Sequence, residues 1–165
     1  TVKHMLAAEA IMRALARRLK QEEDAWGLAG LIHDIDLDRV QGDMMKHSEL
    51  GADMARELGA GPDVCQAVLS HNESHGVPRV SLMDKALWCA DPLTGLITAV
   101  ALVMPDKKLA DVQVTSISKR FKQLRFAAGA NREQIAACKE LGLELEEFLA
   151  LGLEAMQGVA GQLEL

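Results

Sequence analysis

Gly30-Leu31-Ile32-His33-Asp34-Ile35-Asp36 sets an imidazole and a carboxylate side by side at the polar end of an apolar run. A segment that only had to pack would carry more aliphatic groups there. Burying a carboxylate without a partner is expensive, so a cation or a dense set of donors has to lie close to Asp34. The residues leading into the pair read as a helix, introduced by the polar, acidic Gln21 to Asp24 where carboxylates meet the positive end of the dipole. Trp26, Gly30 and His33 share one face, and Leu28, Leu31 and Ile35 the neighbouring one. His33 and Asp34 stand about 100° apart around the axis, near enough for both to reach one ion at the helix end. Gly30 lets another helix or a ligand come close, or only relieves crowding.

Working outward, Val2 to Lys20 predicts a helix whose stripe is Ala8, Ile11, Leu15 and Leu19, with Arg13, Arg17, Arg18 and Lys20 largely off it. His4 precedes Ala8 by four residues and falls on that stripe, either as a ligand or as a core histidine satisfied by a carbonyl. Leu37 to Met45 is charged, contains Gly42 and reads as a loop at the mouth of a pocket. A third helix is expected over His47 to Leu58, with Leu50, Met54 and Leu58 on its stripe, His47 pointing inward and Gly59 as the stop. Pro62 restarts the chain at a first helical position. Val64, Ala67, Val68 and His71 follow at i, i+3, i+4 and i+7, so His71 also leaves an apolar face. His75, within Asn72-Glu73-Ser74-His75-Gly76-Val77-Pro78, is expected on a surface loop.

Ser81 to Met104 reads as a long apolar helix with Pro92 inside it and a kink or break expected near Asp91. Leu87 and Trp88 precede Asp91 by four and three residues, which turns that carboxylate toward the core; Asp84, seven before, could share its side. Thr115 to Phe126 carries Lys119, Arg120, Lys122 and Arg125 around Ile117, Phe121 and Leu124, a solvated helix face or a rim for a phosphate. Asn131 and Gln134 fit a capping-box-like start to the short segment ending near Cys138. Leu145, Phe148, Leu149, Met156 and Val159 give a last amphipathic helix, with Glu144, Glu146 and Glu147 in its first turn.

Composition points the same way. The 165 residues are one domain's worth, 49% of them hydrophobic and only 3% aromatic, so Ala, Leu and Met carry the apolar content and favour helices over strands. A formal charge of −6 argues against a general nucleic-acid surface. Cys65, Cys89 and Cys138 have no CxxC spacing and read as buried small hydrophobes in a reducing compartment. Pro92 to Pro105, the longest apolar run, falls short of the ~20 residues of a membrane span, and no leader-like segment opens the sequence. The expectation is a soluble, cytoplasmic, all-α protein with no membrane partner.

Six side chains therefore face inward from five separate helices: His4, His33, Asp34, His47, His71 and Asp91. Satisfying them singly would take several internal partners each, whereas one or two divalent cations satisfy the set together. Mixed nitrogen and oxygen donors suit Mn, Fe, Co, Ni or Zn better than an all-oxygen calcium site.

In that order, on a helical scaffold, these residues resemble the HD-domain superfamily of metal-dependent phosphohydrolases. Its minimal pattern matches His4, His33-Asp34 and Asp91; His47 and His71 match the extension of members that hold two metals. Ala90-Asp91-Pro92-Leu93-Thr94-Gly95 looks like a bacterial subgroup of undefined activity. Three departures stand out. The frequent HD-Ile-Gly-Lys continuation is here His33-Asp34-Ile35-Asp36-Leu37, the paired His-His-Glu of some relatives is His71-Asn72-Glu73, and the GYP signature of cyclic-dinucleotide phosphodiesterases is absent.

The resemblance implies an HD-like bundle of about seven to eight helices in a single domain over 1–165, with the motif within 4–91 and a helical extension over 92–165. It implies hydrolysis of a small, nucleotide-like phosphate ester; the charge of −6 argues against a nucleic-acid polymer as partner. His33 and Asp34 would be catalytic and Asp34 shared if two ions bind; Arg39, Lys46 and Lys85 would be the nearest cations for a phosphate. A non-catalytic HD-type module that binds metal or ligand, or a helical interaction protein with core histidines, are the alternatives. The sequence leaves the oligomeric state open.

Overall fold

A computed structural model describes residues 1–165, and every regular element in it is helical. In chain order these are α1 (Val2–Leu19), α2 (Glu23–Ile32), α3 (Leu37–Val40), α4 (Glu49–Glu57), α5 (Pro62–Ser70), α6 (Leu82–Leu102), α7 (Val114–Phe121), α8 (Arg132–Ala136), α9 (Leu145–Gly158) and α10 (Ala160–Leu163), with short 3-10 turns at Glu73–His75, Leu109–Asp111 and Ala137–Leu141. The architecture is the all-α bundle expected from the apolar spacing.

The organising element is α6. Its start is fixed by a capping box in which Ser81 Oγ accepts from Asp84 N while Asp84 Oδ2 accepts from Ser81 N. That contact, with a second from Val80 N, commits the Asp84 carboxylate to the helix start seven residues before Asp91, and Asp84 belongs to none of the clustered His–Asp groups. Pro92 does not interrupt the element, which runs as one helix of 21 residues. Leu87, Leu93, Leu96 and Ile97 are fully buried, each worth about 1.5–3 kcal/mol relative to exposure. By length and composition α6 could cross a membrane, but 61% of its most apolar window is buried inside this fold, packed against α1, α5, α8 and α9. Its apolarity serves a core of 37 residues that all the longer helices share.

Close approach of α2 to α1 depends on Gly30. A Cβ there would lie 2.7 Å from the Ala8 carbonyl oxygen and 2.8 Å from Glu9 N, both backbone atoms that cannot swing aside. Of the two readings of this glycine, helix packing is the one observed.

Two elements are shorter than expected. The predicted helix from His47 begins only at Glu49, because Ser48 sits at φ 70° with its N–H on Asp36 Oδ2. The helix predicted through Phe126 stops at Phe121. Beyond it the Arg132 guanidinium donates to the carbonyls of Arg120, Phe121, Gln123, Phe126, Ala127 and Ala130, drawing those oxygens into turns rather than a ladder. Asn131 caps α8 by accepting from Glu133 N and Gln134 N, but Gln134 reaches to the Trp88 carbonyl instead of closing a capping box. The three cysteines are free and buried, and burial pushes the Cys89 and Cys138 thiols up.

Candidate metal centre

His4 projects from the first turns of α1 and Asp91 from the middle of α6, but the other four residues lie at helix ends rather than within helices. His33 and His71 are the C-caps of α2 and α5, Asp34 follows His33 in a turn, and His47 lies in the turn before α4. The reason is local. An α-helix leaves its last carbonyls without partners, and an imidazole at the C-cap can donate to one of them. His33 Nδ1 does so to Gly30 O at 2.8 Å and His71 Nδ1 to Val68 O, the same three-residue step back in each case. The negative ends of two helix dipoles are thereby aimed at one place, which favours a cation there.

The other two rings are tied outward as well. His47 Nδ1 donates to Asp36 Oδ1 at 2.8 Å. His4 Nδ1 lies 2.8 Å from Thr94 Oγ1, whose own hydroxyl proton goes to the Asp91 carbonyl, so the ring nitrogen is the donor. With all four Nδ1–H groups engaged, the four Nε2 atoms are left to face inward, the arrangement that outer partners impose on histidine ligands.

Those Nε2 atoms meet the carboxylates in two groups. Asp34 Oδ2 lies 3.4 Å from His4 Nε2 and 3.5 Å from His33 Nε2, while Asp34 Oδ1 lies 3.5 Å from both His47 Nε2 and His71 Nε2. Asp91 Oδ1 closes the first group at 3.0 Å from His4 Nε2 and 3.7 Å from His33 Nε2. Three sets of ligand atoms, His4-His33-Asp34, His33-His71-Asp91 and Asp34-His47-His71, each fall within 4.8 Å of one another and could hold an ion. His4 Nε2 and His33 Nε2 are only 3.1 Å apart, a separation that two facing lone pairs do not tolerate without a proton or a metal between them. This donor set fits a divalent transition ion.

Without such an ion, protons take its place. Burial works against charge on His4, yet its contacts with Asp34 and Asp91 outweigh burial and raise its pKa to about 9. His33 is raised as well, burial being outweighed by Asp91 and Asp34. Burial alone would raise Asp34 and Asp91, but the surrounding histidines hold both carboxylates well below their usual range.

Two cavities open on the cluster from either side of Asp91. One of about 220 Å³ includes His47, His71, Trp88, Asp91 and Gln134; the other, of about 320 Å³, includes His4, Asp91, Thr94 and the Ala127–Ala130 turn. Arg39, Lys46 and Lys85 line neither. Arg39 is exposed on α3, Lys46 is exposed with Nζ 3.4 Å from Asp43, and Lys85 is half-buried near the start of α6.

Sequence spacing overlooked three members of the surrounding layer. Asp36 is fully buried and accepts from His47 Nδ1, Ser48 N and Gly51 N. Thr94 orients His4. His75, expected on a surface loop, has a side chain only 4% exposed, with Nε2 2.6 Å from the His47 carbonyl oxygen. Only the replacement of Gly by Asp at position 36 was a visible signal, and nothing in the loop composition marked His75.

Comparison with known proteins identifies a family. The family model described as HD domain matches residues 1–103, a span that contains all six cluster residues. Ribonuclease Y of Oleidesulfovibrio alaskensis is 32% identical over 98 residues, which cover 57% of this chain and 18% of that protein. Ribonuclease Y of a Sulfurovum species is 27% identical over 134 residues, covering 79% and 26%. This chain thus spans well under half the length of either curated relative. No solved structure matches. With the family pattern matched over more than half its length, the chain belongs to the HD-domain superfamily of metal-dependent phosphohydrolases.

Proposed function

We propose that the chain hydrolyses a small phosphate ester, nucleotide-like in kind, at the His–Asp cluster. The observation that supports this is the orientation of the four imidazoles, each bound outward through Nδ1 and each presenting Nε2 to a carboxylate. His4, His33, Asp34, His47, His71 and Asp91 would hold one or two ions of Mn, Fe, Co, Ni or Zn. The two oxygens of Asp34 face different histidine pairs, so Asp34 is the residue that two ions would share. When bound, such an ion polarises a phosphate oxygen and lowers the pKa of a water.

The rest of the work falls to the chain. His33, with no exposed surface, and Asp34 form the floor of the site. Asp36, Thr94 and the Gly30 and Val68 carbonyls hold the ring tautomers, so the donor atoms need no reorganisation when substrate arrives. Cavities on both sides of Asp91 give an ester room to approach.

Two observations favour second readings. No Lys or Arg lines the two cavities beside Asp91, which suits a metal- or ligand-binding module without turnover. The names of the relatives bring RNA into view as a substrate, against which stands the net charge of −6. Metal analysis of the purified chain, followed by a screen of phosphate monoesters, diesters and a short RNA with Mn, Ni and Co, separates them. Bound metal with turnover of small esters is expected. Metal without turnover supports the module, cleavage confined to RNA supports the polymer, and absence of metal overturns the site.

A further inference from the structure

We propose that Trp88 and Gln134 form a nucleobase subsite beside the cluster, so that the ester cleaved there carries an aromatic base. The inference rests on the phosphohydrolase reading and assigns the residues that would read the base of its substrate. Trp88 and Asp91 are three residues apart on α6 and line the same 220 Å³ cavity with His47 and His71. At that spacing they stand on one face, one turn apart, with Cβ atoms about 5–6 Å from each other. A ribose spans a comparable gap between its base and its 5′-phosphate.

The indole is built as a platform. Arg79 stacks its guanidinium on one ring face, 3.6 Å from the centroid, and is itself anchored through Nη1 to the Ser70 carbonyl at 3.1 Å. With one face held, the ring is fixed in orientation and the other side is what it can offer to a planar ligand. Beside it, Gln134 Nε2 donates to the Trp88 carbonyl at 3.2 Å, which pins the amide and leaves its oxygen and second N–H to meet a base edge. Asn72, also in the cavity wall, has its amide committed to Met44 O, His47 O and Ser74 N and serves as structure. The cavity's charged residues are Glu73 and Asp91, which disfavour a second anionic group and leave a neutral ring as the fitting occupant.

The test uses the Mn-loaded chain with adenosine 5′-monophosphate and ribose 5-phosphate, which share the phosphate and differ in the base. Trp26 is only 3% exposed, so quenching of tryptophan emission reports chiefly on Trp88. The nucleotide is expected to quench and ribose 5-phosphate not, and Trp88→Ala to abolish the effect. The kcat/KM ratio of nucleotide over sugar phosphate should fall about 10- to 100-fold in Trp88→Ala, mainly through KM, and be largely kept in Trp88→Phe. A wild-type chain that treats the two ligands alike, or a ratio unmoved by Trp88→Ala, overturns the subsite. Absence of any turnover overturns the phosphohydrolase reading alone, and quenching then still decides the subsite.

Discussion

Asp36 Oδ1 lies 2.8 Å from Nδ1 of His47, and this contact decides which nitrogen of the ring faces Asp34. The same carboxylate receives the N–H groups of Ser48 and Gly51 through Oδ2, at 2.7 and 2.9 Å. Gly51 has no Cβ to hold it off; one placed there would stand 3.2 Å from the Asp36 carboxyl carbon.

Asp36→Asn puts an amide N–H₂ where one of these donors needs an acceptor. Weaker metal binding by about 10- to 100-fold is expected, since the ring is no longer held in its tautomer. Stability should fall by about 1–3 kcal/mol from the buried unpaired donors. Calorimetric metal titration and urea unfolding of the metal-free chain read the two effects separately. Unchanged affinity in a destabilised variant would show that Asp36 only holds the turn.

This residue also marks where the sequence was legible and where it was not. Helix faces follow from local periodicity, so the inward placement of His71 beyond Val64, Ala67 and Val68, or of Asp91 after Leu87 and Trp88, could be read from spacing. Gly30 before His33 pointed to a close approach for the same reason. Asp36 read as a departure from the family continuation, because its partners His47, Ser48 and Gly51 come from the following turn and α4. His75 was hidden likewise: Gly, Pro and Asn content predicts an irregular backbone, not the His47 carbonyl above it. The early end of α7 depends on Arg132, eleven residues past Phe121.

Gly30→Ala tests whether helix packing sets the site. The added methyl meets the α1 backbone at Ala8 and Glu9, so α1 and α2 have to separate. A loss of about 1–3 kcal/mol is expected. Ala8 is one turn from His4, and Gly30 holds His33 through its carbonyl, so the same shift moves His4 from His33. Metal affinity should drop with stability, whereas a loss of stability at full affinity would uncouple the packing from the cluster.

The metal-free chain should have a stability profile with a definite sign. Its His4 pKa is about 9 against an ordinary 6.5, so the contribution of protonated His4 is complete below pH 6.5 and disappears as pH rises through about 9. Asp34 and Asp91 lie below their ordinary 3.8, so their contribution is present above pH 3.8 and is lost on acidification. The cluster therefore stabilises the metal-free fold most between about pH 4 and 6.5, with Tm declining toward pH 9. Metal competes with those protons, so the stabilisation added by Mn should grow over the same rise in pH. A Tm of the chelator-treated chain that climbs from pH 6.5 to 9 would contradict the proton-filled cluster.

Thr94→Val separates the two halves of the cluster. Thr94 Oγ1 is the acceptor for His4 Nδ1, and valine keeps the shape while removing it, leaving the His4 ring free to turn. His4 faces Asp34 Oδ2 and Asp91, whereas Asp36 acts on His47, which faces Asp34 Oδ1. If two ions bind, Thr94→Val should weaken one by about 10-fold and spare the other, and Asp36→Asn should do the reverse. A single ion held by all six residues would instead respond to both variants in one binding step. Stepwise calorimetric titration of the two variants and of their combination distinguishes these, because losses in separate sites add whereas losses in one shared site do not.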